Sequence, residues 1–78
     1  MNYVVSYDLD HGTREEYEAI ENNLTARGGV HWMKSTWKVP STVDAKELLK
    51  SLKSLVGANG KMYVGAISAD ADYLNLQG

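Results

Sequence analysis

The chain reads as an α+β ferredoxin-like sandwich of the βαββαβ type, with two helices on one face of an antiparallel sheet. Three observations predict it. Segments of strand period and of helical period alternate along the chain, each helical segment opens on a capping signal and closes on glycine, and both helices are long enough to cross one small sheet. With 78 residues the chain reads as a single domain over 1–78, with 69–78 as a C-terminal arm or tail.

Residues 2–9 form the first predicted strand. Tyr3, Val5, Tyr7 and Leu9 fall on one face and Val4, Ser6 and Asp8 on the other. The second face turns strongly polar only at Asp8, which suits a central strand covered on both sides. From Thr13 the period changes, because Thr13 and Glu16 make a capping box and Tyr17, Ile20 and Leu24 recur at helical spacing. The spacing predicts a helix over 14–27, stopped by Gly28 and Gly29, with Glu15, Glu18 and Glu21 on its outer face.

Residues 30–39 alternate again, as one long strand or as two short ones with a break near Met33 or Lys34. Met33, Trp37 and Val39 fall on one face and Lys34, Thr36 and Lys38 on the other. Pro40 ends the pairing because it lacks a backbone donor. The second helix starts at the Asp44 N-cap, with Glu47 completing a capping box and Val43 placed as a hydrophobic staple on Leu48. Leu48, Leu49, Leu52, Leu55 and Val56 make its apolar stripe, Lys46, Lys50 and Lys53 its outer face, and Gly57 its end. Asn59 and Gly60 predict a tight turn and Lys61 to Ser68 a closing strand. Tyr73 to Leu76 fit either a last short strand able to swap onto a partner or a frayed terminus.

Composition narrows the setting. A chain of this length buries roughly 60 to 65% of its unfolded surface, so self-association is the expected remedy for a small core. No cysteine is present, which removes disulfides and thiolate metal sites and fits a reducing compartment. There is neither a stretch approaching the roughly 20 apolar residues of a membrane span nor a basic region followed by an apolar run at the N-terminus. The expectation is a soluble cytoplasmic protein. Its net charge of −2 is the opposite of the basic balance of a strong nucleic-acid binder, so a nucleic-acid role needs a local patch or a metal.

Asp8, Asp10 and His11 carry the clearest chemical potential. A carboxylate at the end of a strand needs water, a partner or a cation, and oxygen ligands suit Mg2+ or Mn2+, which take one or two carboxylates together with waters and phosphates. The metal candidates are Asp8 and Asp10. Across a two-fold axis, one Asp8 from each chain would supply a pair. The same residues also fit a polar loop leading into a helix N-terminus. His11 fits a general acid or base near neutrality, or a simply exposed loop histidine, while His31 beside Trp32 reads as structural. Ser35 and Thr36 place hydroxyls in mid-strand, where cross-strand hydrogen bonding is the ordinary role. Of the aromatics, Tyr3, Tyr7, Trp37 and Tyr63 read as core or interface packing, and Trp32 and Tyr73 as exposed partner contacts. Glycine-rich phosphate loops, H-E-x-x-H and G-x-S-x-G are all missing.

An apolar strand ending Tyr7-Asp8-Leu9, a strand with Lys34-Ser35-Thr36-Trp37, a leucine-rich second helix and a closing strand Met62 to Ile67 together resemble the small CRISPR-associated ferredoxin-like adaptation proteins. The virulence-associated D ribonucleases share that fold. The resemblance covers residues 2–68. It implies that Asp8 is the metal-associated acid, and that Ser35 matches the serine of an S-x-F motif in which Trp37 replaces phenylalanine. It also implies a homodimer formed through the sheets, and an activity that is either metal-dependent nuclease or scaffold for a protein partner on DNA. One departure is plain: the family's first helix is usually basic, whereas Arg14 here is followed by Glu15, Glu16, Glu18 and Glu21.

Two functions fit these readings. One is a Mg2+- or Mn2+-dependent phosphodiesterase on RNA or DNA, with Asp8, Ser35 and His11 as the catalytic candidates. The other is a non-catalytic acidic interaction module that acts on a protein partner as inhibitor, regulator or scaffold.

Overall fold

The computed structural model describes residues 1–9, 11–57 and 60–67. Asp10, the Asn59 turn position, Ser68 and the 69–78 arm, including Tyr73 to Leu76, lie outside the described residues. The elements run β1 (Asn2–Asp8), α1 (Arg14–Ala26), β2 (Val30–Met33), β3 (Thr36–Pro40), α2 (Ala45–Leu52) with a 3-10 turn at Lys53–Leu55, and β4 (Lys61–Ala66).

The four strands form one antiparallel sheet in the order β2-β3-β1-β4, the expected ferredoxin-like topology. β1 is central, as its run of β-branched and aromatic residues predicts. Its core-side residues Tyr3, Val5 and Tyr7 join Trp37 and Val39 of β3 and the following Leu9 in one buried cluster. Ile20 and Leu24 from α1, Leu48 and Leu52 from α2 and the following Val56 complete that cluster, so both helices cover the same face of the sheet. Full burial of each such aliphatic side chain is worth about 1.5–3 kcal/mol.

Local chemistry sets the helix ends. At α1 the Thr13 hydroxyl accepts from the Glu16 N–H at 3.2 Å and the Glu16 carboxylate accepts from the Thr13 N–H at 2.9 Å, so the capping box is reciprocal. At α2 the Asp44 carboxylate accepts from the Glu47 N–H at 2.9 Å, the N-cap half of the pattern. Val43 stays 45% exposed, so the staple position contributes little burial. Gly28 at φ 81° and Gly57 at φ 71° supply the left-handed turns that the sequence expects after each helix.

The segment 30–39 resolves into two strands joined at Lys34 and Ser35. That turn moves Ser35 out of mid-strand and resets the alternation: Met33 pairs with Thr36 and is 50% exposed, and does not share the core face of Trp37 and Val39. The register also slips between His31 and Met33, leaving Trp32 as the extra residue of a bulge.

The second face of the sheet is covered by no described element. Cross-strand partners share a face, so its residues form rows across the strands. Val30, Lys38, Val4 and Gly65 make one row, Met33, Thr36, Ser6 and Tyr63 the next, and Asp8 with Lys61 a third.

Candidate functional site

Strand β1 carries Asp8 to the rim of this open face. The carboxylate is exposed, stands opposite Lys61 of β4, and makes no ion pair or side-chain hydrogen bond with any described residue. On its other side lies the β2–β3 turn, held there by the Tyr7 N–H donating to the Ser35 carbonyl at 3.1 Å. Ser35 is half-buried in that turn. His11 follows in the loop after β1, exposed and at φ 56°, a left-handed conformation that few non-glycine residues adopt. Asp8, His11 and Ser35 thus gather at one end of the sheet, which their sequence separation does not reveal.

The structure behind this rim is aromatic. Trp37 donates its indole N–H to the Tyr7 hydroxyl at 3.2 Å, and the His31 ring stacks on Trp37 with centroids 4.5 Å apart at 10°. His31 is also bonded through Nε2 to the Lys34 carbonyl at 3.1 Å, which ties the turn to the core. The Tyr17 hydroxyl donates to the Leu9 carbonyl at 3.4 Å, and its ring lies 6.3 Å from that of Tyr7. Burial pushes the Tyr7 hydroxyl above its ordinary value of about 10. The Trp37 hydrogen bond works against that rise, and the charges of Glu21 and Tyr17 add to it. His31 has the structural role its sequence position suggests, and Tyr7 and Trp37 hold the Asp8 and Ser35 segments in register.

Further along the open face, Ser6 Oγ and Thr36 Oγ1 are hydrogen-bonded across β1 and β3 at 3.3 Å, the cross-strand role expected of a strand hydroxyl. Lys38 sits between Val4 and Val30 and has no ion-pair partner among the described residues. Tyr63 is 63% exposed, so of its two readings, core or interface packing, the core one does not hold within the chain. Its side chain runs along its own strand over Gly65, where any Cβ would collide with the ring and hydroxyl. The sequence held the signal: Met62 and Val64 take the core side of β4, so period two leaves Lys61, Tyr63 and Gly65 outside. Trp32 is half-buried and engaged in the structure.

The donor set bears on the metal expectation. Among the described residues no three His, Cys, Asp or Glu side chains converge, and Asp8 is the metal candidate they include, Asp10 lying outside them. That suits a divalent cation shared with waters and a substrate phosphate, and does not suit a closed protein site. A cavity of about 450 Å³, open to solvent, is lined by Met1, Arg27, Pro40, Ser41 and Thr42. It lies by the opposite end of β1, where Asn2 pairs with Pro40.

Comparison of the chain with protein-family models, curated proteins and solved structures finds no match in any of the three. No described helix is long and apolar enough to cross a membrane.

Proposed function

We propose that the chain is a nucleic-acid-directed protein that works at the Asp8 rim of the open sheet face, as a metal-dependent phosphodiesterase. The observation that carries this reading is the placement of charge. The acids of α1, Glu15, Glu16, Glu18 and Glu21 against Arg14, belong to the helical layer, whereas Asp8 stands on the other face beside Lys61 and the Lys34–Ser35 turn. The α1 acids therefore do not line the rim that holds Asp8.

In this function Asp8 would hold Mg2+ or Mn2+ together with a phosphate oxygen of the substrate. Such a cation neutralises charge on the phosphoryl group and makes a water more acidic. Lys61 places an ammonium beside the same phosphate, and the Ser35 hydroxyl and the His11 ring, at the same end of the sheet, are the groups available to orient it or move a proton. Asp8→Ala is a surface change and leaves the fold within about 0.5 kcal/mol. It is expected to reduce manganese-dependent cleavage of a labelled oligonucleotide by at least about 100-fold. Cleavage that survives the substitution contradicts the assignment.

A second reading, the non-catalytic acidic module, is favoured by the exposed Glu15 and Glu18 on α1. Charge reversal at those two positions that abolishes capture of a basic partner, with Asp8→Ala silent, selects it over the first.

A further inference from the structure

We infer that the open sheet face is a binding track for single-stranded nucleic acid, with Tyr63 as its stacking platform and Lys38 and Lys61 as its phosphate contacts; this rests on the nucleic-acid reading above. Three features of the face support it. Tyr63 lies along β4 over a glycine and is 63% exposed, which leaves its ring accessible to a stacking base. Among the described residues the face carries Lys38 and Lys61 against Asp8, a cationic balance within an acidic chain. The Ser6 and Thr36 hydroxyls stand in the same row as Tyr63 and offer hydrogen bonds to a base or ribose.

A second copy of the chain is the competing occupant, since Tyr63, Met33, Val4 and Val30 are apolar. Lys38 decides between them. It occupies the middle of the face between Val4 and Val30, and has no carboxylate partner among the described residues. A dry sheet-to-sheet interface would draw that ammonium into its core, where charged residues are depleted and burial of charge is costly. A polyanion pairs it instead. From Lys61 to Lys38 the track crosses two strand spacings and two rows, a span of roughly 17 Å, with Tyr63 and Ser6 between them.

The test is fluorescence anisotropy of labelled oligouridine and oligothymidine in EDTA, so that binding is read without hydrolysis. Expected are binding at low salt, a loss of about 10-fold on Tyr63→Ala, and a similar loss on Gly65→Val, which retains the tyrosine but displaces its ring. Lys38→Gln is expected to lower the slope of log affinity against log salt by about 1, and Glu15→Gln with Glu18→Gln to change affinity by less than about 2-fold. A preference for oligouridine identifies RNA as the ligand, and equal binding identifies any single strand. Absent binding, or binding indifferent to Tyr63, Gly65 and Lys38, overturns the track. So does a wild-type dimer by light scattering that Tyr63→Ala dissociates, which assigns the face to a second copy. Binding without cleavage in magnesium leaves the track standing and removes the phosphodiesterase, whereas cleavage by a Tyr63→Ala variant of unchanged affinity does the reverse.

Discussion

Trp37 donates its indole N–H to the Tyr7 hydroxyl inside the core and supports the His31 ring on its face. Removing the acceptor leaves a buried N–H unpaired, at a cost of about 1–3 kcal/mol. Tyr7→Phe is therefore expected to lower the urea midpoint without changing the slope of the transition. The same residue gives a pH signature. Burial raises the Tyr7 pKa in the folded state, so the unfolded chain loses its phenolic proton first as pH rises. The native state then binds more protons than the unfolded one, and stability falls with pH above about 10 until the native hydroxyl also titrates. Below that window the contribution is fully present. In wild type a urea midpoint that declines through this range is expected, with a shallower decline in Tyr7→Phe; identical slopes contradict the assignment. The residues of this cluster were legible as apolar core, but their hydrogen bond joins positions 30 apart in sequence and depends on strand pairing that no local pattern encodes.

At the scale of elements, the helices were the most legible parts because their signals are local. Thr13 and Glu16 announce α1, Asp44 announces α2, and the boundaries follow within a residue at the N-terminal ends. Thr13→Ala removes one reciprocal bond of the α1 box and is expected to cost about 1 kcal/mol, read as a lower thermal midpoint with unchanged helix content at 25 °C. A substitution without effect would mean that tertiary packing alone fixes the start of α1. The 30–39 segment was less legible, since Lys34 and Ser35 carry none of the glycine or asparagine that marks a tight hairpin. The turn is fixed from outside, by His31 bonding to the Lys34 carbonyl and Tyr7 to that of Ser35. For that reason Ser35 lands beside the Asp8 rim and not in mid-strand.

Across the whole molecule, the net charge of −2 sums residues that stand on different faces. Glutamates crowd α1 on one side of the sheet, and Lys38 and Lys61 stand on the other. Sequence arithmetic sums these faces, although α1 and the face of Lys38 and Lys61 lie on opposite sides of the sheet. The core side of β1 was readable from its alternation, whereas the cover expected on its second face is supplied by no described element, and which charges share a face required the register. The most direct test of the central claim, that the open face is the functional one, is an amide chemical-shift titration with a single-stranded oligonucleotide. Val4, Ser6, Thr36, Lys38, Lys61 and Tyr63 are expected to shift together while Glu15 to Glu21 stay fixed. Shifts confined to α1, or none at all, would contradict the account.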